Sequence, residues 1–314
     1  MKVLFISCKT GDYIASCLWD GFQELCGQDN VFDAVDSPLF HVDPPTFDNA
    51  TSVAGRISAT RIGRKLDYSE RRPQFDLMVI NACFTREHDW HWPITLAKTC
   101  LKSEAKIAYV EGWDGSRDIN PPNMHVDAIF RRELNPDIDY PYKCHCLMMS
   151  APSRWFNENE QRHLDVFYAA YSVGWNPRWD VCRMAWSTQK RHQSLISSCG
   201  IIGLKEYFGY LGNSKLGLCP TGAGGESFDC LRTWEVVANG AIPIFIGLPK
   251  RVKEPWFASD ECFECYDVNE LPGIIDRALD MDLDTMRKKM QANARQNHTT
   301  KARAKKILDV LGLS

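Results

Sequence analysis

No stretch of this chain approaches the ~20 consecutive apolar residues that a membrane span requires, and no span is expected. A secretion signal is also missing. The opening Met1-Lys2-Val3-Leu4-Phe5-Ile6-Ser7 meets Lys9 and Asp12 before an export-type apolar core forms. No low-complexity run interrupts the chain, which speaks against a disordered or fibrous protein. Excess charge is small too: a net −3 neither demands nor excludes a polyanionic partner. Cysteine, by contrast, is plentiful. Thirteen is an odd count, so complete internal pairing is impossible. With no export signal the thiols read as reduced, in a cytoplasmic compartment. Cys262-Phe263-Glu264-Cys265 and Cys144-His145-Cys146 lack a second ligand pair at finger spacing, so structural zinc is not expected.

What is present is enough chain for two domains. The 314 residues are 44% hydrophobic and 25% charged, a globular balance. Residues 1–150 carry a net −5 and residues 151–314 a net +2. Strand-like and helix-like stretches alternate, which argues for α/β architecture with parallel sheets. Residues 3–7, 75–81, 106–110 and 126–130 read as buried strands of a first half ending near 150. Residues 13–25 read as a helix with Ile14, Leu18, Phe22 and Leu25 on one face. The polar, aperiodic segment 151–161 reads as the linker. A second half follows, with strands at 166–170, 216–219 and 241–246 and helices at 233–238, 271–279, 284–296 and 301–311.

Two stretches are basic. Residues 55–72 hold Arg56, Arg61, Arg64, Lys65, Arg71 and Arg72 against Asp67 and Glu70. This is either a solvated face or a site for an anionic acceptor. From Arg287 to Lys306 there are eight basic residues and no acidic one, an electrostatic footprint denser than a balanced helical surface.

The stretch from Tyr210 to Gly247 carries the chemistry. A strand runs into a Gly-rich loop, then a helix, then Gly240 and another strand. Gly222, Gly224 and Gly225 let the backbone approach a ligand, and Ser227 closes the loop. Asp229 precedes the apolar-periodic residues and is placed to cap the helix. A helix start presents free N–H groups to a diphosphate, but its field supplies only about 0.3–1 kcal/mol. A cation is needed as well, and Arg232 sits on the first turn with a planar fork suited to phosphate oxygens. Glu235 shares that helical face and suits a ribose diol. The plainer reading is an ordinary βαβ turn with Arg232 and Glu235 as a structural pair.

The string Ser214-Lys215-Leu216-Gly217-Leu218-Cys219-Pro220, then Gly222, then Asp229 to Glu235 and Gly240-Ala241-Ile242-Pro243 resembles the C-terminal motif of exostosin-like glycosyltransferases and the related CgeB-like enzymes. Asp165 to Tyr168 followed by Asn176-Pro177-Arg178 looks like the first strand and loop of the CgeB-like donor domain. His298-Thr299-Thr300, with Arg303 and Ala304, is similar to that family's closing helix. The similarity covers roughly residues 165–310; the first half matches mainly in pattern. The resemblance implies a GT-B fold, two Rossmann-like domains facing across a cleft. The first (1–150) would serve the acceptor and the second (151–314) the nucleotide-sugar. It places Arg232 at the diphosphate, Glu235 on the ribose and Arg178 in a loop facing the phosphates. Cys230 stands where Ser or Thr is common. Glu226 and Glu235 are one residue too far apart for the paired-Glu motif of many retaining enzymes, so the stereochemistry stays open.

Sugar transfer builds charge on the departing diphosphate and draws a proton from the acceptor hydroxyl. The base belongs on a first-half loop at a strand's C-terminal end. Glu111 and Asp114, beside Trp113 as a stacking platform, are the leading candidates; Asp12 and His88 are the others. Asp137-Ile138-Asp139 and Asp280-Met281-Asp282 fit the metal-binding Asp-x-Asp string of another transferase class. The first lies in a Pro-rich loop and the second at a helix start. No metal or cofactor is expected, the nucleotide-sugar being a co-substrate. With no anchor, a bacterial, phage-infected or viral host cytosol suits the resemblance. The acceptor is then a glycan, a glycoprotein, or a hydroxylated base in DNA. For DNA, Arg61 and Arg64 would contact phosphates and Trp113 would stack on a flipped base. The rival readings are a nucleotide-sugar 2-epimerase and a non-catalytic nucleotide-sugar sensor. Oligomeric state is open.

Overall fold

The computed structural model describes residues 1–7, 13–34, 64–66, 74–82, 95–96, 99–112, 121, 123–134, 138–169, 177–189, 191–197, 202–221, 229–247 and 257–314. They form two compact units: Met1–Pro152 with Thr299–Ser314, and Ser153–His298.

The first unit is built on a parallel sheet. Its described strands are β1 (Val3–Ile6), β2 (Val31–Asp33), β3 (Arg64–Lys65), β4 (Phe75–Ala82), β5 (Leu101–Glu111), β6 (Ala128–Arg131) and β7 (Cys144–Cys146), in the order β3-β2-β1-β4-β5-β6-β7. The apolar runs of β1 and β4 are buried on both faces, as a helix-covered parallel sheet requires. Alternation then divides them. Val3, Phe5, Leu77 and Val79 join one core, and Leu4, Ile6, Met78 and Ile80 join another.

Two helices fill the first of these cores. They are α1 (Tyr13–Cys26), through Ile14, Leu18, Trp19 and Phe22, and the C-terminal Thr300–Leu311, through Ala304, Ile307 and Leu308. Here the structure departs from the expected 151–314 half, because the last helix returns to the first unit. Gly21 makes this crossing possible: a Cβ there would lie 2.1 Å from the Thr300 carbonyl oxygen. The Thr300 hydroxyl donates to the buried Asp20 carboxylate at 2.6 Å, and the Thr299 hydroxyl caps the helix by accepting from the Ala302 N–H. The His-Thr-Thr-x-x-Arg string is therefore a docking device, with Arg303 donating to the Met149 carbonyl.

The second unit has a smaller parallel sheet. Its described strands are β8 (Leu164–Ala169), β9 (Ser194–Ser197), β10 (Ser214–Pro220), β11 (Ile242–Ile246) and β12 (Phe263–Cys265), in the order β12-β11-β10-β8-β9. Its helices are α2 (Pro177–Trp186), α3 (Leu204–Gly212), α4 (Leu231–Ala238), α5 (Leu271–Leu279) and α6 (Leu283–Asn297); Thr300–Leu311 is α7.

The segment read as a linker is tied into this unit. The Asn157 N–H donates to the Ala238 carbonyl at 2.8 Å. Arg162 is buried, and its guanidinium donates to the carbonyls of Leu211, Ser214, Asn159 and Asn239. A cation among carbonyls at the ends of α3 and α4 complements both helix dipoles. Burial lowers its pKa to about 10, still charged at neutral pH.

The footprint expected from Arg287 to Lys306 is largely consumed locally. Arg287 is buried against Asp284, Lys289 meets Asp260, Arg295 meets Glu158, Lys301 meets Glu24 and Lys305 meets Asp309.

Candidate donor site in the second unit

Numbered within their own unit, the strands of the second sheet run 2-1-3-4-5 from the β9 edge. In this doubly wound order the chain reverses direction between the first and third strands, β8 and β10. Ligands of such sheets bind outside the carboxyl ends of the strands at that switch point. Both flanking connections lead to helices, β8 toward α2 and β10 toward α4.

The close seating of α4 begins with Gly217 in the middle of β10. A Cβ there would lie 2.6 Å and 2.8 Å from the two methyl carbons of Val236. The missing side chain lets α4 lie directly on the strand. Its start is then fixed from outside. Asp229, expected to cap the helix, does not. It is fully buried, and its carboxylate accepts from the Trp234 indole N–H at 2.8 Å. Trp234 in turn stacks on His298 at 5.1 Å between ring centroids. The indole five residues on thus takes one of the Asp229 carboxylate oxygens. The N-cap is Cys230, whose side chain makes no capping bond. The thiol points instead at the Pro220 carbonyl, 3.7 Å away, and the Thr233 hydroxyl, 3.8 Å away. The N-cap side chain therefore leaves the first-turn N–H groups without a capping bond of its own, which suits an anion site.

Arg232 lies half-buried on that first turn, its guanidinium 5.3 Å above the ring of Tyr168 at the end of β8. Among the described residues it makes no hydrogen bond or ion pair. Burial works against its charge, but Tyr207, Tyr168 and Glu235 together raise its pKa above the ordinary value. It is a permanent, partly desolvated cation facing the switch point. Arg178, on the first turn of α2, is also half-buried. Both arginines act on the Tyr168 hydroxyl: burial pushes its pKa well up, and Arg232 and Arg178 pull against that rise. Two guanidinium groups, each from the first turn of a helix, thus act on the end of β8.

Glu235 is buried, and one of its oxygens accepts from the Tyr207 hydroxyl at 2.7 Å. The pair ties α3 to α4. Sequence reasoning gave Tyr168 and Tyr207 no role. Their only signal was a hydroxyl on an otherwise apolar strand or helix face.

Gly222, Gly224 and Ser227 lie outside the described residues, as do Asp12, His88, Asp114, Arg61 and Trp113. In the first unit the strand order 3-2-1-4-5-6-7 puts the switch point between β1 and β4. Residues 8–12 and 83–94 follow those strands. Glu111 ends β5, half-buried, and accepts from the Tyr109 hydroxyl at 3.0 Å. Arg64 is exposed on the two-residue edge strand β3, its guanidinium 5.2 Å over the Phe32 ring.

The Asp-x-Asp string at 280–282 serves two helix ends: Asp280 is the C-cap of α5, and Asp282 caps α6 by accepting from the Thr285 N–H at 3.1 Å. In the Cys-x-x-Cys string, burial and the neighbouring Glu264, Glu261 and Asp260 push the Cys262 thiol up to about 12. Burial, Glu270 and Asp267 push Cys265 up to about 11. Burial above all, with the acidic neighbours, keeps both thiols protonated at neutral pH.

Two units, each with a doubly wound parallel sheet, define an α/β class of the Rossmann-like type. No protein-family model matches the chain, and no curated protein matches it in sequence. Solved structures match it from end to end. One is an alpha-glucosyltransferase in complex with UDP-glucose and DNA containing an abasic site; the TM-score is 0.60 and the identity 11%, covering 99% of this chain and 98% of that one. A glycosyltransferase from Rickettsia africae ESF-5 gives 0.56 at 10% identity, covering 99% and 97%. Anabaena Alr3699/HepE in complex with UDP-glucose gives 0.53 at 10% identity, covering 99% of each. The chain has the GT-B fold. No helix among the described residues is long and apolar enough to cross a membrane.

Proposed function

We propose that this chain is a glycosyltransferase that moves a sugar from a nucleotide-sugar to a hydroxyl acceptor, in the manner of the exostosin-like and CgeB-like enzymes. One observation carries the reading: an uncapped helix start bearing Arg232 stands at the β8/β10 switch point, with Arg178 brought in from α2. As the glycosidic bond breaks, negative charge grows on the diphosphate. Donors already fixed around it stabilise that charge without reorganising. Arg232 and Arg178 neutralise the leaving group, so the proposed reaction needs no metal. Gly222, Gly224 and Ser227 would contribute to binding the donor. Glu235, held by Tyr207, would take the ribose. The proton acceptor would come from the first unit, with Glu111 and Asp114 ahead of Asp12 and His88.

UDP-glucose is the donor to try first, since two of the similar structures hold it. The similar alpha-glucosyltransferase holds DNA as well, which favours a hydroxylated base over a glycan or glycoprotein as acceptor. Arg61, Arg64 and Trp113 would then contact the duplex. The test is UDP release from UDP-glucose, with and without duplex DNA carrying hydroxymethylcytosine, and separately with glycan acceptors, in EDTA. Release that depends on an acceptor supports the transferase. Loss of donor with no acceptor and an epimeric sugar product points to the 2-epimerase. Donor binding without turnover on any acceptor points to the sensor.

A further inference from the structure

The Tyr168 hydroxyl is an unusual group in this pocket. Tyr168 is 1% exposed at the carboxyl end of β8, and among the described residues its oxygen has no hydrogen-bond partner. Taking a phenol out of water without giving it a partner is unfavourable. Its neighbours on the strand show that the position does not need the oxygen for the fold: Val166, Phe167 and Ala169 are buried and apolar. A phenylalanine would satisfy the same packing. Tyr207, in the same unit, spends its hydroxyl on the Glu235 carboxylate. Arg232 lies across the Tyr168 ring, and both Arg232 and Arg178 act on its hydroxyl. Arg232 and Arg178 are both donors and offer a phenolic O–H nothing to donate to.

We infer that Tyr168 is a donor-site ligand whose hydroxyl donates to a phosphate oxygen of the nucleoside diphosphate, between Arg232 and Arg178. The inference rests on the donor-site reading above and adds to it a role for Tyr168. An anion drawn in by the two guanidinium groups is the partner the hydroxyl lacks: it supplies an acceptor where the protein supplies only donors. Burial keeps the phenol protonated, so it stays a donor at any working pH. Arg232, lying over the ring, has to shift as the phosphate enters.

The experiment compares wild type, Tyr168→Phe and Arg232→Ala by titration calorimetry with UDP, GDP and inorganic pyrophosphate, and by thermal unfolding without ligand. Tyr168→Phe is expected to weaken the nucleotide that wild type prefers, and pyrophosphate, by about 10- to 100-fold, the range of a hydrogen bond to a charged group. Its ligand-free melting temperature should match or exceed that of wild type, because the change removes an unpartnered polar atom. A hydroxyl with a structural partner or a trapped water would give the opposite sign. Wild-type affinity in Tyr168→Phe, or a lower ligand-free melting temperature, overturns the inference while leaving the donor site standing. Weakened nucleotide binding with unchanged pyrophosphate binding also overturns it, because the hydroxyl would then read the nucleoside. If wild type binds none of the probes, the donor-site reading fails, and the inference with it.

Discussion

Gly217→Ala tests whether the seating of α4 on β10 sets the donor site. The new Cβ would lie 2.6 Å from one Val236 methyl carbon and 2.8 Å from the other, and 3.3 Å from the Val236 Cβ. Carbon atoms settle at about 3.5–4.0 Å, so strand and helix must part by roughly 1 Å. β10 cannot yield, because Gly217 is paired with Pro243 of β11 on one side and Phe167 of β8 on the other. The helix has to move, and Arg232 lies one turn before Val236 on it. Overpacking of this kind costs about 1–3 kcal/mol. For a domain of this size that lowers the melting temperature by roughly 3–10 °C. A misplacement of about 1 Å at a binding group weakens function by up to about 100-fold. UDP affinity should therefore fall by more than stability alone explains. Val236→Ala removes both offending methyl carbons, so the double variant should recover affinity and stability relative to Gly217→Ala, with a coupling of about 1–3 kcal/mol. Thermal unfolding and UDP titration of the four proteins measure it. A Gly217→Ala protein with wild-type melting and affinity, or a double variant whose losses simply add, would refute the reasoning.

Arg162→Met is expected to destabilise the second unit by about 3–5 kcal/mol, since it strands buried carbonyls that now share one cation; urea unfolding reads it, and a loss under about 1 kcal/mol counts against the hub. Asp127 holds Lys106 at 2.9 Å and the Ile107 N–H at 2.8 Å. Burial raises its pKa, but these partners outweigh it and the net shift is downward. Its contribution is therefore present above about pH 4 and lost as pH falls below that. Asp127→Asn should cost about 0.5–1 kcal/mol at pH 7, discounted for the half-exposed Lys106, and nothing at pH 2; equal losses at both pH values would contradict the linkage. Iodoacetamide at pH 8 should spare Cys262 and Cys265, whose thiols titrate at about 12 and about 11. The half-buried Cys230 should label and be protected by UDP, with peptide mass spectrometry as the readout and labelling of Cys230 indifferent to UDP as the contrary result.

The strands were legible because burial on both faces writes an unbroken apolar run. β1, β4, β10 and β11 fall within a residue or two of their expected ends. The two-half division was legible as well, from alternation. The destination of the last helix was not. Its docking depends on Gly21 meeting Thr300, a contact between distant positions that leaves no local pattern. Arg162 was hidden for a similar reason. It sits in a polar segment that lacks period, and a buried arginine bonded only to carbonyls looks in sequence like one on a loop.

The donor site shows the same division between local and non-local information. Arg232 and Arg178 follow from motif and helix starts, because a first-turn position is set by local spacing. Asp229 did not follow, because two local rules compete there. An aspartate just before a helix favours capping, while a buried indole N–H favours whatever acceptor lies within reach. Trp234 is buried among Phe257 and His298, and an unsatisfied indole in that setting costs more than an uncapped helix end open to water. The indole takes the carboxylate, and the helix start is left without a cap. That competition leaves the start of α4 as the proposed donor site needs it. An aspartate capping those amides would place a negative charge where the diphosphate's charge belongs. The same residue that appeared to finish the helix thus leaves it unfinished, and does so by packing alone.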